Sequence, residues 1–574
     1  MLDRHTIAAR LREISSVLDL SGGNKFKARA FARGARAIEA TREPIGVLIE
    51  EKRLTALPGI GFAIARQVEE LYTTGRSELL ESLKKGLPSG VLELSQVSGI
   101  GLHALRALAE DLGIQTVDDL RAAAEAGRLR GVKGFGPKRE AKLLEAVRRY
   151  ETKAPPVLLA DGLHLADSLG RELEELPGVT AVDLAGSLRR SVELAKDVDF
   201  LLTTEDPERA IDRVVKLARV ATVEERADAR CRLRLADGTR IDVFACRPEE
   251  RGPALVAATG SKTHVARLRA LAEERGVDLR EPIEEERAFY ERLGLAFIPP
   301  ELREDLGEIE LAARGEEPEL VTQDDIRGFV HCHSTWSDGR HSIEEMALAA
   351  EKRGASFITL TDHSKNAHYA GGLDVDRLKR QWDEIDEVQE RVSIKILKGT
   401  EADILADGAI DWPDAILERL DVVIASIHAR YRQDEDAMTK RILRAMRYPI
   451  FKIWGHPLGR LVTSRPPVPC RVEEVLDALA ESRGAIEING DPRRLDLEPR
   501  WVRAARDRGL HFVLSVDAHA MRELDNLRYA VGLARRGGVR KSEVLNTKSA
   551  AAFLEAVRPA AKRPRAARLA ASSF

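Results

Sequence analysis

The sequence predicts a multidomain chain with an all-α front, an α+β middle and a C-terminal α/β barrel. In residues 1–150, a Gly-x-Gly turn followed by an amphipathic helix occurs three times. Residues 158–245 mix strand-like and helical runs, and residues 250–312 have a mostly helical pattern. Beyond residue 328, short apolar runs alternate with helical stretches, which is the order expected of strands and helices in an α/β barrel.

Composition narrows the class of protein. The 574 residues are 44% hydrophobic and 32% charged, which excludes a disordered or collagen-like chain and leaves enough apolar residues for several cores. No apolar run approaches the roughly 18 residues of a membrane span, and the charged first turn does not resemble a signal peptide. The four cysteines are scattered, so we expect a reducing, cytoplasmic location without disulfides.

Charge and histidine are unevenly distributed along the chain. Residues 1–150 carry 25 Lys and Arg against 19 Asp and Glu, whereas the whole chain has a net charge of −3. Nine of the 13 histidines lie after residue 330. A mildly basic front suits contact with phosphate groups, and a histidine-bearing back suits metal binding.

The repeated element of the front is a helix-hairpin-helix pattern. Glycine permits a tight turn and a close backbone approach, and the helix that follows presents unpaired N–H groups that suit a phosphate oxygen. A single copy would equally fit an ordinary αα-hairpin turned by glycine, but three copies favour binding to the DNA backbone. The glycines expected to contact DNA are Gly59, Gly61, Gly99, Gly101, Gly134 and Gly136.

A basic helical run precedes the first hairpin. The segment NKFKARAFARGARAIEA interleaves lysines and arginines with Phe26 and Phe31, and no acidic residue lies between Ser21 and Ile38. A solvated charged face is the ordinary interpretation of such a run. The absence of acidic residues favours a phosphate site instead.

Three aspartates in the middle segment form the first candidate catalytic group. Asp197 and Asp199 lie two residues apart in a strand-like run, which places both carboxylates on one face, and Asp242 lies in a later strand-like run. Three such carboxylates can hold two Mg²⁺ ions about 3.5–4 Å apart, the arrangement used for nucleotidyl transfer. Gly186 and Ser187 stand before a predicted helix, where backbone N–H groups can meet a phosphate.

These motifs resemble those of a known family. AGSLRR, KDVDF, IDVF and TGSKTHVARLR are similar to the palm of family X DNA polymerases, and the front has the order of that family's 8-kDa and fingers regions. The resemblance implies that Asp197 and Asp199 ligate both Mg²⁺ or Mn²⁺ ions, and that Asp242 binds the catalytic ion and accepts the primer proton. It also implies that Lys27 binds the 5′-phosphate of a gap. The residues that it assigns to the incoming dNTP are Gly186, Ser187, Arg190, Gly260, Ser261 and Lys262.

Two positions depart from the family pattern. Ala257 and Ala258 precede the T-G-S turn, where the family usually has an aromatic that packs on the nucleotide sugar. We therefore expect weak rejection of ribonucleotides, and the strength of polymerisation itself stays open. Gln67 occupies the position of the family's Schiff-base lysine. Because a carboxamide cannot form an imine, we expect 5′-deoxyribose-phosphate lyase activity to be absent or weak.

The C-terminal third contains a second candidate site. Nine possible metal ligands lie at the ends of apolar, strand-like runs, and in an α/β barrel those ends meet on one face. Each histidine alone would more often be a core or surface residue. Nine N and O ligands in register instead predict two or three ions, and Mn²⁺, Zn²⁺ and Fe are all compatible with them. The predicted ligands are His331, His333, Asp338, His363, Glu401, His428, His456, Asp517 and His519.

This pattern resembles the polymerase and histidinol phosphatase (PHP) domain over residues 328 to about 550. The resemblance implies a distorted (β/α)7-type barrel that hydrolyses phosphoesters with the help of its metal ions. Both resemblances together imply a bacterial family X DNA polymerase whose PHP domain trims DNA 3′ ends in an Mn²⁺-dependent way and can act at abasic sites. Arg430 and Lys365 are further candidates for phosphate contacts.

The predicted domain boundaries follow from these motifs and from two linkers. We expect, in order, an 8-kDa-like helix-hairpin-helix domain, a fingers-like helix-hairpin-helix domain, a nucleotidyltransferase palm, a thumb, a linker, the PHP domain and a basic flexible tail. Their predicted ranges are 1–75, 76–150, 157–248, 249–312, 313–327, 328–557 and 558–574.

We expect a repair polymerase that fills short gaps with dNTPs and carries a 3′–5′ exonuclease, with an abasic-site endonuclease as a further activity. One alternative is a DNA 3′-end-processing nuclease whose polymerase activity is weak or lost. A second is a small-molecule phosphoesterase, which would not need the helix-hairpin-helix repeats. The expected partners are gapped or nicked double-stranded DNA and dNTPs, with no membrane, and the resemblance implies a monomer.

Overall fold

The computed structural model describes most of the chain. The described residues are 4–20, 25–41, 45–57, 59–84, 94, 102–114, 116–132, 135–152, 156–235, 237–278 and 282–559. The predicted hairpin glycines Gly99, Gly101 and Gly134, and the predicted tail beyond residue 559, lie outside them. The chain divides into two compact units, which are Met1–Val157 with Asp161–Leu184 and Lys196–Pro248, and Leu158–Ala160 with Ala185–Ala195 and Glu249–Phe574.

The front of the first unit is helical, as predicted. Five helices share one apolar core that includes Ile7, Leu11, Phe31, Val68 and Leu71. They are α1 (Arg4–Leu20), α2 (Lys25–Ala40), α3 (Ile45–Glu50), α4 (Phe62–Thr74) and α5 (Glu78–Lys84). Three further helices, around a second core, are α6 (Leu102–Leu112), α7 (Val117–Glu125) and α8 (Pro137–Thr152).

Two of the predicted hairpin turns are described. Gly59 has a φ of +90°, a backbone conformation that residues other than glycine rarely adopt. Gly61 directly precedes α4. Gly136 directly precedes α8, whose first residue is Pro137. At both Gly61 and Gly136 an added Cβ would meet nothing within 4 Å, so these helix starts are open to a ligand.

The rest of the first unit is a five-stranded mixed sheet. Its strands run in the order β2-β4-β7-β6-β5, and its helix α11 (Pro207–Val214) packs on β4 and β7. Asp199 of β4 is paired with Asp242 of β7, because these two strands are parallel neighbours. The strands are β2 (Val179–Leu184), β4 (Val198–Thr204), β5 (Val220–Ala227), β6 (Arg230–Leu235) and β7 (Arg240–Cys246). The short strands β1 (Val157–Leu158) and β3 (Leu194–Ala195) and the helix α9 (Leu159–Glu174) complete this region of the chain.

The second unit contains a small helical subdomain. Its core includes Val256, Leu268, Phe289, Tyr290 and Ile309. The helices here are α10 (Gly186–Arg189), α12 (Arg251–Thr259), α13 (Lys262–Arg275), α14 (Glu286–Arg292) and α15 (Glu308–Ala313).

The larger part of the second unit is a barrel of seven parallel strands. The strands follow chain order from β8 to β14, and every residue of β8, β9 and β14 is buried, as expected where helices cover the sheet. Backbone bonds from His333 N to Ala518 O (2.8 Å) and from Ala518 N to His331 O (3.0 Å) join its two edges, so it is nearly closed. The strands are β8 (Gly328–Cys332), β9 (Phe357–Leu360), β10 (Lys395–Asp403), β11 (Val422–Ser426), β12 (Lys452–Trp454), β13 (Gly484–Asn489) and β14 (Phe512–Ser515).

Helices follow or connect these strands. They are α16 (Ile343–Lys352), α17 (Val375–Gln389), α18 (Asp414–Leu417), α19 (Glu435–Met446), α20 (Val472–Ala480), α21 (Pro499–Asp507), α22 (Leu527–Arg536) and α23 (Ala550–Val557). The predicted fold class is therefore confirmed: a helical front, a mixed sheet and a nearly closed seven-stranded barrel. Among the described residues, no helix is both long enough and apolar enough to cross a membrane.

Ion pairs join the helical subdomain and Ala185–Ala195 to the barrel within the second unit. Arg535 of α22 lies 2.6 Å from Glu301. Glu193 lies 2.6 Å from Arg536 and 3.1 Å from Arg460. These side chains are mostly buried, so the contacts bind the barrel to segments that the sequence assigns to the palm and thumb.

Candidate functional site

The nine predicted ligands of the barrel lie at the carboxyl ends of its strands. His331 is inside β8 and Glu401 is inside β10, while the other seven are in the loops that follow strands. Because the strands are parallel, these ends share one face of the barrel. Four groups of these residues each offer ligand atoms within 4.8 Å of one another: His333, Asp338, His363 and His519; His331, Glu401 and His456; His331, His333 and Asp517; and His363, Glu401 and His428.

Glu401 lies at the centre of this cluster. Its Oε2 is 2.9 Å from Nδ1 of His363 and 3.3 Å from Nε2 of His331. Its Oε1 is 3.0 Å from Nε2 of His428 and 2.9 Å from Nε2 of His456. One carboxylate thus faces four imidazoles from four strands, and a carboxylate with two oxygens can bridge two ions.

Two aspartates extend the cluster on the side of His333. Asp517 Oδ1 is 3.4 Å from Nε2 of His333. Asp338 Oδ2 is 3.3 Å from Nε2 of His519, and Asp338 Oδ1 is 3.6 Å from Nε2 of His363. Asp338 is partly exposed, whereas Asp517 and His333 are buried, so the cluster runs from the barrel interior towards its rim.

The hydrogen bonding of these side chains fits metal binding. Several of their nitrogen and oxygen atoms are buried and have no hydrogen-bond partner in the part of the chain that the structure describes: His331 Nε2, both ring nitrogens of His333, His363 Nδ1, Glu401 Oε2 and His428 Nε2. Buried polar atoms are otherwise almost always hydrogen-bonded. Unpaired imidazole and carboxylate atoms that converge on one another are the donor set for a divalent ion such as Mn²⁺, Zn²⁺ or Fe.

Electrostatics divide the histidines into two kinds. Burial disfavours the charged form of His428, but the carboxylates of Glu401 and Asp403 outweigh burial and raise its pKa to about 9. In His519, Asp338 and Asp517 likewise outweigh burial and raise the pKa to about 9. For His333, burial dominates and the neighbouring His519 adds to it, so that the pKa is lowered to about 4.

Two carboxylates that orient the ligands were not predicted. Glu487 of β13 is 2.5 Å from Nδ1 of His331, and Asp403 of β10 accepts from Nδ1 of His428. Each leaves the opposite ring nitrogen directed into the cluster, which fixes the tautomer that a metal ligand needs. Asp403 could have been found from the sequence, because it lies two residues after Glu401 and so on the same face of the strand.

Asp362 holds the loop that carries Asp338. Its carboxylate accepts from the backbone N–H of Ser334 at 2.9 Å, from the Ser334 hydroxyl at 2.7 Å, and from Nε2 of Gln381 at 2.5 Å. Asp362 also directly precedes His363, so one turn fixes two of the predicted ligands. The two residues that the sequence predicts as further phosphate contacts of the barrel site, Arg430 and Lys365, have exposed side chains.

The three aspartates of the sheet form the second site. Asp197, Asp199 and Asp242 each offer a carboxylate oxygen within 4.8 Å of the others. Burial, together with the charge of Asp242, raises the pKa of Asp197, as expected for acidic groups that are close together. Arg232 of β6 was not predicted: it donates to both oxygens of Asp242, because antiparallel pairing places it directly opposite. Three crowded carboxylates fit a pair of divalent ions such as Mg²⁺ or Mn²⁺.

The predicted dNTP-binding residues belong to the second unit. Gly186 has a φ of +61° at the start of α10, and the buried Ser187 Oγ has no hydrogen-bond partner within the described residues. Arg190 donates to the Thr259 carbonyl at 2.7 Å and to Glu304 at 2.9 Å, so its guanidinium already has partners.

The T-G-S turn lies between α12 and α13. Ser261 Oγ caps α13 by accepting from the backbone of His264 at 3.1 Å, and Lys262 is exposed. Ala257 and Ala258 are in the last turns of α12, and Ala257 is exposed. No side chain larger than methyl therefore extends from the two positions before this turn.

In the helical front, Lys27 is exposed on α2 together with Arg29 and Arg33. Gln67 of α4 is buried instead. Its carbonyl accepts from the Ser77 hydroxyl at 2.7 Å, and its amide donates to Glu70 at 2.8 Å. Gln67 therefore belongs to the buried hydrogen bonding of this unit.

Models of known families match four parts of the chain. A helix-hairpin-helix domain matches residues 3–77, and a SAM-like helix-hairpin-helix tandem matches residues 91–149. A DNA polymerase beta thumb matches residues 254–304. A PHP domain matches residues 330–491.

Among relatives, a protein of Bacillus subtilis (strain 168) named DNA polymerase/3′-5′ exonuclease PolX is 33% identical over 563 residues, which is 96% of this chain and 98% of that protein. Other relatives match a smaller share of the chain. A probable phosphatase of Thermoanaerobacter sp. (strain X514) is 32% identical over 38% of this chain and 89% of its own length. A probable phosphatase of Aeromonas hydrophila subsp. hydrophila is 27% identical over 38% of this chain and 87% of its own length.

Proposed function

The chain belongs to the family X DNA polymerases that carry a C-terminal PHP domain, and we propose that it fills short gaps in DNA and trims DNA 3′ ends at two separate sites. The polymerase uses Asp197, Asp199 and Asp242. The 3′–5′ exonuclease uses the nine-residue cluster of the barrel. Its partners are gapped or nicked duplex DNA and dNTPs, and it acts as a monomer in the cytoplasm.

The observation that carries the exonuclease proposal is the set of unpaired ligand atoms around Glu401. Glu401 faces four imidazoles, and its Oε2 has no hydrogen-bond partner in the described chain. Divalent ions bound there would polarise a phosphoester and activate water for its hydrolysis. Glu487 and Asp403 hold His331 and His428 in the tautomers that such binding needs.

In the palm, the protein's own groups neutralise and orient the reacting phosphates. Two divalent ions at the three aspartates would activate the primer hydroxyl and hold the triphosphate. Asp242 accepts the proton of the primer hydroxyl on a lone pair that its two hydrogen bonds from Arg232 leave open. Separately, the buried Ser187 hydroxyl, which has no hydrogen-bond partner among the described residues, supports the proposal that Ser187 contacts a phosphate oxygen.

A 3′-end assay tests the exonuclease. A duplex with a recessed 3′ end and a 5′ label is incubated with Mn²⁺ and no dNTPs, and strand length is followed. The Asp199→Ala protein should shorten the strand as the parent does, whereas His333→Ala should lose at least about 100-fold in rate. His511→Ala is the matched control, because His511 is an exposed histidine just before β14. Equal loss in His333→Ala and His511→Ala would contradict the proposal.

Assays of the parent protein also test the alternative that the barrel site hydrolyses small molecules instead of DNA. Relatives named as probable phosphatases, which match 38% of this chain, suggest a small-molecule phosphoesterase as the alternative. If the chain hydrolysed histidinol phosphate or p-nitrophenyl phosphate with a higher kcat/KM than a DNA 3′ end, that alternative would replace the exonuclease. Action at abasic sites is tested in the same assay with an internal abasic site, and His333→Ala should abolish it.

A further inference from the structure

An arginine beside the barrel cluster has a buried N–H group with no hydrogen-bond partner among the described residues. Arg494 follows β13, and its Nε lies 3.1 Å from Oδ2 of Asp517, a predicted metal ligand. We propose that Arg494 binds a phosphoryl oxygen of the phosphoester at the barrel site, which makes it a substrate-binding residue. The proposal rests on the phosphoesterase function proposed above and names one of its phosphate ligands.

The hydrogen-bond inventory of Arg494 carries the inference. Its buried Nη1 has no hydrogen-bond partner within the described residues, and its Nε contacts Asp517 only as an ion pair. The adjacent Arg493 differs, because its Nε donates to Asp491 at 3.0 Å and its side chain is 43% exposed. A guanidinium has five N–H donors, and leaving them unpaired away from water is costly. A phosphate oxygen would supply the acceptor that Nη1 of Arg494 lacks.

Arg494 is held at the edge of the cluster. Asp517 stands between the arginine and the imidazoles, with Oδ2 towards Arg494 and Oδ1 3.4 Å from Nε2 of His333. The charge of Arg494 also reaches the interior of the cluster, because it helps burial to lower the pKa of His456. Arg494 is therefore in direct contact with one of the predicted metal ligands, Asp517.

The backbone of Arg494 is fixed, so the side chain is placed in advance. Its N–H donates to the Asp491 carbonyl at 2.8 Å, and its carbonyl accepts from Nε of Arg460 at 3.0 Å. The side chain itself is only 16% exposed. A planar guanidinium held in this way matches two oxygens of a phosphate and stabilises the negative charge that develops on them during hydrolysis.

A purely structural role for Arg494 is the competing explanation. The arginine would then only support Asp517, and removing it would cost metal binding rather than phosphate binding. Arg430, which was predicted from the sequence as a phosphate contact, is a second competitor, but its side chain is exposed. The two roles differ in what a substitution changes first, which is the basis of the test.

The test measures inorganic phosphate binding to the full-length, Mn²⁺-loaded protein by ³¹P relaxation and calorimetry, with metal content determined on the same samples. Arg494→Ala should keep the metal and raise the phosphate dissociation constant roughly 10- to 100-fold. Added guanidinium should restore part of the DNA 3′-end hydrolysis in this variant. Arg432→Ala, which removes an exposed arginine from the loop after β11, is the matched control and should bind phosphate as the parent does.

The outcomes are distinct. If Arg494→Ala loses metal, the Arg494→Lys variant is used instead, because lysine keeps the charge but not the planar fork. Full metal content with at least 5-fold weaker phosphate binding in Arg494→Lys supports the proposal. Phosphate binding equal to that of the parent overturns it. Unchanged phosphate affinity in a metal-replete Arg494→Ala protein also overturns it. If the parent binds phosphate but hydrolyses no DNA 3′ end, the proposed exonuclease fails while the Arg494 contact is still measured.

Discussion

Arg232 donates to both carboxylate oxygens of Asp242, from Nε at 2.7 Å and from Nη2 at 2.6 Å. The pair forms because β6 and β7 are antiparallel and place the two residues opposite each other. It neutralises one of three crowded acidic groups, since the other two, Asp197 and Asp199, are within ligand distance. An ion that takes the side of the carboxylate facing Arg232 would therefore compete with a guanidinium for Asp242.

Arg232→Ala should make the stability of the palm more dependent on bound metal. Without the arginine the three carboxylates repel one another, so the metal-free protein should lose about 1 kcal/mol of stability, a modest value because the Arg232 side chain is 41% exposed. Mn²⁺ should then raise the unfolding midpoint more in the variant than in the parent. Arg234→Ala, on the same strand but paired with Glu224, is the control. An equal Mn²⁺ effect in both variants would refute the competition.

Glu401→Gln should empty part of the barrel site. The amide keeps the shape but loses the charge that faces four imidazoles, so at least one equivalent of bound metal should be lost, as measured by elemental analysis. The 3′-end hydrolysis should fall at least about 100-fold, whereas nucleotide insertion should be retained. Glu390→Gln, at an exposed position after α17, should change neither activity. Full metal content in Glu401→Gln would show that this carboxylate is not a ligand.

The chain should lack an efficient 5′-deoxyribose-phosphate lyase. Gln67 is buried and engaged with Ser77 and Glu70, so no amine stands at the position of the Schiff-base lysine. Borohydride reduction in the presence of a 5′-incised abasic end should leave the protein without a covalent DNA adduct. An adduct that mass spectrometry maps to a lysine within residues 1–75 would overturn this prediction.

The buried Lys452 should make stability depend on alkaline pH. Burial, with a contribution from Arg483, lowers its pKa to about 8, whereas an unfolded lysine titrates near 10.4. Between these values the folded state binds fewer protons than the unfolded state, so stability rises with pH, by up to about 3 kcal/mol across the window. Urea unfolding of the metal-free protein at pH 7.5, 8.5 and 9.5 measures this, and Lys452→Met should remove that part of the rise. If the free energy of unfolding rose equally with pH in the parent and in Lys452→Met, Lys452 would not be the source of the rise.

The sequence was most informative about residues whose positions follow from the order of strand-like and helical runs along the chain. The nine candidate ligands could be predicted because each lies at the end of an apolar run, and parallel strands bring such ends to one face. Asp197 and Asp199 were recognisable from their period-2 spacing together with the preceding Gly186-Ser187 and the later Asp242. The fold class followed from the same alternation of strand-like and helical runs, which the barrel confirms.

Residues that depend on register between distant segments could not be predicted. Arg232 meets Asp242 only through the pairing of β6 with β7, and Glu487 meets His331 across 156 residues. Arg494 lies in a turn after β13, a strand for which no ligand was expected, and no motif marks it; only its buried Nη1, which has no hydrogen-bond partner among the described residues, distinguishes it. The association of Glu193 with the barrel arginines likewise depends on tertiary packing.

The central claim, two separate active sites on one chain, is tested most directly by primer length. A 5′-phosphorylated one-nucleotide gap is incubated with Mn²⁺, dNTPs and His333→Ala protein, so that trimming cannot mask extension. The account predicts a primer one nucleotide longer, with Asp242→Ala unable to extend it but still able to shorten it when dNTPs are left out. A primer that stays unchanged with His333→Ala protein and is only shortened by the parent would contradict it.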